Sequence, residues 1–200
     1  MERVGIFGGT FDPPHRAHLA VARTAVAELQ LTRLLWIPAA QSPHKEDEPP
    51  TDAVHRIEMT RYMVEQESCF ELDLGEMEVG GLSFTVDTLQ RLKDAHPEWR
   101  LWLIIGQDQF DALPRWREPE RLRKLARVAV YRRETTSSHR ENGSDAQTDH
   151  RPPDVWLPGV RMMISSTDIR RRLMRGEDMD DVLVPEVSDY IHRHRLYLHG

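Results

Sequence analysis

The stretch Val4-Gly5-Ile6-Phe7-Gly8-Gly9-Thr10-Phe11-Asp12-Pro13-Pro14-His15-Arg16-Ala17-His18-Leu19 decides the fold. It opens as a short buried-strand pattern, Val4 to Phe7, and breaks at Gly8-Gly9. It turns through Asp12-Pro13-Pro14 and enters a helix carrying His15 and His18. A strand, a glycine break and a helix start make a phosphate-binding arrangement. Glycine lets backbone N–H groups approach a ligand, and a helix N-terminus carries about half a unit of positive charge. His15 and His18 are three residues apart and share one face of the first turn. Gly-Gly alone after a strand is ordinarily a turn, and a lone His is ordinarily a surface or core residue. The combination carries the reading, because two imidazoles beside free backbone donors suit a polyphosphate. No G-x-G-x-x-G is present, so this is not the dinucleotide fingerprint. No G-K-[ST] follows the glycines, so it is not a P-loop.

Outward from this stretch, His15 to Gln30 reads as a helix with Leu19, Ala22, Val26 and Leu29 on its buried face. Leu34 to Pro38 is a second buried strand. Strand, helix, strand implies a right-handed crossover and a parallel sheet, hence an α/β fold. Ala39 to Pro50 is a polar loop leaving the carboxyl end of that second strand, the edge where open α/β sheets bind ligands. Thr51 or Asp52 can cap a helix to about Gln66, with Ile57, Tyr62 and Met63 among its apolar positions. Phe70 to Leu74 alternates like a strand. Ser83 is a candidate cap for a helix to His96. Leu101 to Gly106 is the most apolar run and reads as a central strand, with Asp108 just beyond it as a ribose ligand or a helix cap. A helix from about Glu118 to Ala126 and a strand from Arg127 to Tyr131 follow. Glu134 to Asp154 reads as a mobile loop and not a second domain. Val155 to Leu157 is a possible strand. Ser165-Ser166-Thr167 can cap a helix and present hydroxyls, with Arg170 one turn in. Basic residues near a helix start are locally unfavourable, which often marks a functional site. Gly176 ends that helix, and Pro185 starts a last one through His194, with Val187, Tyr190 and Ile191 facing inward. His192, His194 and His199 lack partner ligands at metal spacing and read as a surface tail.

Composition sets bounds. The chain has 200 residues, enough for one domain with a proper core over 1–200. The net charge of -6 argues against a nucleic-acid partner, while a small phosphate ligand needs only local positive potential. Cys69 is the only cysteine, so no internal disulfide forms, consistent with a reducing cytoplasm. The opening Met-Glu-Arg-Val-Gly lacks the apolar run of a signal peptide, and no stretch suits a membrane span. Oligomeric state is not legible.

The opening stretch resembles the G-G-T-F-D-P-x-H-x-G-H signature of bacterial nicotinate mononucleotide adenylyltransferases, members of the His-x-Gly-His nucleotidyltransferase superfamily. Three further segments resemble the same family in the same order: Ser42-Pro43-His44-Lys45, Leu82-Ser83-Phe84-Thr85-Val86-Asp87-Thr88-Leu89, and Ile164-Ser165-Ser166-Thr167-Asp168-Ile169-Arg170. So do Gly106-Gln107-Asp108 and Leu113-Pro114-Arg115-Trp116. The resemblance implies a Rossmann-like, doubly wound, mainly parallel sheet with helices on both faces. It implies transfer of AMP from ATP to nicotinate mononucleotide, giving deamido-NAD and pyrophosphate. His18, His15 and Arg170 are then catalytic. ATP is contacted by Gly8, Gly9, Thr10, Phe11, His15 and His18, by Lys45, by Gly106 and Asp108, and by Ser165, Ser166, Thr167 and Arg170. The mononucleotide meets His44, Lys45, Phe84 and Thr85, with its ring stacked on Trp116. Mg²⁺ is held mainly by the ATP phosphates, with no dedicated protein metal site.

There are departures. Ala17 stands where the family usually has Gly, placing a methyl where the helix start meets the nucleotide. Phe84 lacks the hydroxyl of the usual Tyr. The segment at 134–154 is longer than the family's usual connection. The nucleophile, a phosphate oxygen, is ionised near neutral pH, which fits the absence of a Ser-His-Asp or Cys-His arrangement. Nicotinamide mononucleotide, a phosphopantetheine-type acceptor and a catalytically silent ATP-binding module stay open as alternatives.

Overall fold

The computed structural model describes residues 1–40, 50–133, 151–160 and 164–198. Its centre is a six-stranded sheet. In chain order the strands are β1 (Arg3–Gly9), β2 (Arg33–Pro38), β3 (Phe70–Leu72), β4 (Arg100–Gly106), β5 (Ala126–Arg133) and β6 (Val155–Val160). They lie in the order β3-β2-β1-β4-β5-β6, and every neighbouring pair is parallel. This is the doubly wound Rossmann order, as expected. Its consequence is a switch point: the chain leaves β1 toward one edge and β4 toward the other. A crevice opens there at the carboxyl ends of the strands.

The apolar runs are continuous because both faces of a parallel sheet are covered. Within each run the side chains alternate between two cores. Leu34 and Trp36 of β2 and Trp102 and Ile104 of β4 enter one core. Leu35, Ile37, Leu101, Leu103 and Ile105 enter the other. The first core is closed by α1 (Arg16–Leu29), α2 (Ala53–Val64), α7 (Ser166–Met174) and α8 (Pro185–His194). The second is closed by α4 (Thr85–Ala95), α5 (Gln107–Ala112) and α6 (Pro119–Leu125). α1 buries Leu19, Ala22, Ala25 and Leu29 at helical spacing. α8 begins at Pro185 and buries Val187, Tyr190 and Ile191, while His192 and His194 are exposed. Gly176, with φ at +71°, follows the end of α7.

Of the two caps offered for α2, Asp52 takes the role, accepting the Val54 N–H. Two local expectations are corrected. The fully buried positions of α2 are Arg56, Met59, Thr60 and Met63, with Ile57 and Tyr62 only half-buried. Ser83 does not cap α4: Phe84 occupies that position, and the Ser83 hydroxyl accepts the Ala40 N–H instead. That bond ties the loop after β2 to the start of α4. A short helix, α3 (Gly75–Val79), had no counterpart in the sequence reading, because five residues carry too little periodicity. The expected loop at 134–154 lies outside the described residues as far as 150. Among the described residues no helix is long and apolar enough to cross a membrane.

Gly5 sits mid-strand in β1, where an added Cβ would come within 2.6 Å of Leu31 Cδ1 and closer still to Leu34 Cδ1. Gly5→Ala therefore overpacks the first core. The expected cost is about 1–2 kcal/mol, seen as a lower urea midpoint with an unchanged slope.

Candidate active site

The crevice at the switch point is a cleft of about 550 Å³. One wall is the end of β1 and the start of α1. The chain leaves Gly9 and reaches Phe11, which holds a left-handed backbone at φ 50° although it is not glycine. Such a conformation costs of the order of 1 kcal/mol or more and persists only where packing enforces it. Phe11 is buried, edge-on to Phe7 at 5.7 Å and to His18 at 5.3 Å between ring centroids. A Cβ on Gly9 would lie 2.9 Å from the Phe11 ring, so close approach requires glycine there.

His15 is the residue before α1, and His18 lies one turn in. Their rings sit 3.8 Å apart, and both line the cleft. The His15 backbone N–H donates to His18 Nδ1 at 3.2 Å. With Nδ1 accepting, the neutral ring carries its proton on Nε2, which makes His18 a hydrogen-bond donor through that atom. Ala17 lies between them but is buried and is not part of the cleft lining. Its methyl is therefore covered by the protein.

The start of α7 also lines the cleft. Ser165 caps it by accepting the Asp168 N–H at 3.1 Å, as the sequence indicated. Ser165, Ser166 and Thr167 line the cleft together with Gly8, Gly9 and Thr10. Two clasps join these segments. The Ser166 hydroxyl donates to the Pro13 carbonyl at 2.9 Å, and Arg170 Nη1 donates to the Asp12 carbonyl at 2.9 Å. Arg170 is thus tied to the turn that follows β1, and it is not among the lining residues.

Phe84, Thr85 and Trp116 also line the cleft. Asp108 stands beyond the end of β4 and also lines it. Gly106 lies beneath: a Cβ there would be 2.7 Å from Asp108 Oδ1 and 3.2 Å from the Tyr131 hydroxyl, so a side chain there would displace the Asp108 carboxylate. His44 and Lys45 lie outside the described residues.

Sequence reasoning missed the polar cluster that holds the loops together. Arg56 is 1% exposed. Its guanidinium donates to four carbonyls: Thr51 (2.9 Å), Thr10 (3.0 Å), Ala39 (2.8 Å) and Ala40 (3.3 Å). Burial lowers its pKa, partly offset by the nearby Asp12 carboxylate. The guanidinium stays charged regardless. Asp12, itself buried, accepts the Thr51 N–H at 3.2 Å and the Tyr197 hydroxyl at 2.6 Å. Burial first, and then the Asp12 charge, push the Tyr197 pKa far up, so it remains a donor at every working pH. The available signal was faint: an Arg among the apolar positions of α2. Also unforeseen in the cleft were Glu76, Arg115, Arg117 and Tyr131. Glu76 accepts the Thr88 hydroxyl at 2.6 Å.

A doubly wound sheet with two helix starts converging on a cleft at its switch point defines a nucleotide-binding α/β protein. Residues 6–172 match the cytidylyltransferase-like family. A Gemmatimonas aurantiaca protein named a probable nicotinate-nucleotide adenylyltransferase is 38% identical over 98% of this chain and 92% of its own. The nicotinate-nucleotide adenylyltransferase of Bacillus subtilis is 34% identical over 98% of this chain and 99% of its own. The Plasmodium falciparum nicotinic acid mononucleotide adenylyltransferase complexed with NaAD shares the fold, with a TM-score of 0.76 at 21% identity over 100% of this chain and 99% of that one. The chain belongs to the cytidylyltransferase-like nucleotidyltransferases and, within them, to the nicotinate-nucleotide adenylyltransferase family.

Replacing Arg56 with Met leaves four carbonyls without their donor. The expected loss is about 3 kcal/mol or more, read from urea unfolding. Arg56→Lys should recover only part, since one ammonium cannot span the same four acceptors.

Proposed function

We propose that this cleft transfers the AMP moiety of ATP to nicotinate mononucleotide, giving deamido-NAD and pyrophosphate. One observation carries the reading: the α1 start with its two histidines and the α7 start with its hydroxyls line one cleft together with Phe84 and Trp116. The close family relatives support the same activity. A phosphate oxygen of the mononucleotide attacks the α-phosphorus of ATP. The bond from that phosphorus to the bridging oxygen breaks, and its electron pair leaves with pyrophosphate. The nucleophile is already ionised, so the protein must supply alignment and cover for the developing charge.

In this reading His18, its proton on Nε2, donates to an oxygen of the α-phosphate as charge builds there. His15 holds the neighbouring oxygen. The Gly8–Thr10 turn, Phe11 and the α7 start cradle the phosphate chain with backbone and hydroxyl donors. Arg170 braces the turn through Asp12 and adds its charge to that end of the cleft. Lys45, with His44, serves the phosphates from the loop after β2. Asp108 accepts from ribose hydroxyls at the end of β4. The pyridine ring stacks on Trp116, with Phe84 and Thr85 beside it.

Mg²⁺ accompanies the ATP phosphates. Among the described residues no group of three or more His, Cys, Asp or Glu could hold a metal. The groups assigned here to the phosphates are imidazoles, hydroxyls and backbone N–H groups, which suit phosphate oxygens more than a hard cation. The ion fits as part of the nucleotide, where it offsets phosphate charge and needs few protein ligands. One domain acting in the cytoplasm accords with the lone Cys69 thiol.

The test is pyrophosphate release from ATP and Mg²⁺ with nicotinate mononucleotide. His18→Ala should lower kcat by about 10²–10³-fold while ATP affinity changes little. Near-normal turnover removes His18 from the mechanism. Trp116→Ala should raise the KM for the mononucleotide about fivefold and leave that for ATP alone. Equal effects on both substrates would make Trp116 structural.

A further inference from the structure

Resting on the reaction just proposed, we infer that Tyr197, in the segment after α8, is a positioning residue: its hydroxyl holds the Asp12 carboxylate off Arg170 and so keeps the guanidinium charge for the ATP phosphates. Tyr197 is not among the residues that line the cleft. It acts through Asp12 and Arg170.

Asp12 and Arg170 are close enough to attract strongly. Their side chains are 7% and 23% exposed, so water and salt screen the pair poorly. Yet Arg170 Nη1 stands 3.9 Å from Asp12 Oδ2, beyond hydrogen-bond length, and donates instead to the Asp12 carbonyl at 2.9 Å. A carboxylate and a guanidinium left to themselves at this range close into a hydrogen-bonded pair, often a bidentate one. Here the carboxylate is held by other donors. Oδ1 accepts the Tyr197 hydroxyl at 2.6 Å, and Oδ2 accepts the Thr51 N–H at 3.2 Å. Arg56, another cation near Asp12, is already committed to four carbonyls.

The chain is shaped to deliver this phenol. Arg195 ends α8 with a left-handed backbone at φ 53°, and the Leu196 N–H returns to the Ile191 carbonyl at 3.0 Å. Tyr197 is left-handed in turn, at φ 61°. Neither residue is glycine, so both conformations persist only where packing enforces them. Leu196 and Tyr197 pack against the first core, and the reversal carries the hydroxyl to the turn after β1, 185 positions earlier. Burial and the Asp12 charge keep the phenol protonated, so it always donates. Without that hydroxyl, Oδ1 loses its donor and Arg170 stands ready to replace it. Every step of the guanidinium toward Asp12 withdraws positive charge from the phosphates.

The experiment compares the native protein with Tyr197→Phe, both as full chains. Affinity for ATP with Mg²⁺ is measured by titration calorimetry. Pyrophosphate release is measured with ATP and nicotinate mononucleotide varied separately. Tyr197→Phe should weaken ATP binding about tenfold and lower kcat by a similar factor, with the KM for the mononucleotide unchanged. In an Arg170→Gln background no guanidinium is left to be drawn away. There the same replacement should change ATP affinity by less than about twofold. A merely structural role gives another pattern: fewer binding sites per chain and a lower urea midpoint, with the ATP affinity of the remaining sites intact. That pattern overturns the inference. So does an equal loss for both substrates, or an equal weakening in the Arg170→Gln background. If the native protein binds ATP but releases no pyrophosphate with nicotinate mononucleotide, the proposed function falls, and the ATP affinities still decide the role of Tyr197.

Discussion

The Arg56 guanidinium has almost no contact with water, and the loops around the cleft are arranged to make that tolerable. A buried charge costs several kcal/mol unless it is hydrogen-bonded and electrostatically compensated. Here compensation comes from carbonyls of Thr10, Ala39, Ala40 and Thr51, and from the Asp12 carboxylate nearby. Those carbonyls belong to the turn after β1, the loop after β2 and the start of α2. Satisfying one side chain therefore fixes the carboxyl ends of two adjacent strands relative to each other. Asp12 extends the constraint to the far end of the chain. It takes the Tyr197 hydroxyl, while its carbonyl takes Arg170 from α7.

This polar cluster explains how so much loop can carry a defined site. The sheet supplies the switch point, but a switch point only opens a crevice. What aims the Gly8–Thr10 turn is the strained Phe11, packed between Phe7 and His18, together with the clasps from Ser166 and Arg170. The His15 N–H then sets the His18 tautomer. Backbone geometry thus decides which imidazole nitrogen can donate.

Much of the fold was legible because its signals are short-range. The runs Val4–Phe7, Leu34–Pro38 and Leu101–Gly106 are apolar on both faces, as buried parallel strands must be. α1, α7 and α8 showed their period and their caps or prolines. Of the site, the Gly8–His18 and Ser165–Thr167 motifs were readable because each is a contiguous turn entering a helix. Short or atypical pieces failed. α3 is too short to show a period. Ser83 looked like a cap, but its hydroxyl went to Ala40, 43 residues away.

The sequence by itself determined the α/β class, the parallel crossover, and the two motifs that bracket the chain. Each depends on spacing within a few residues, which the backbone converts directly into local geometry. Only the tertiary structure decided which polar groups are buried and what they hold. Arg56 meets carbonyls as far as 46 residues away, and Tyr197 meets Asp12 across 185. It also decided that Arg117 lies over Phe84, which is 33 positions earlier in the chain. Such pairings follow from how the helices pack on the sheet, because a side chain's partners in space are set by the whole fold and leave no periodic trace in the chain.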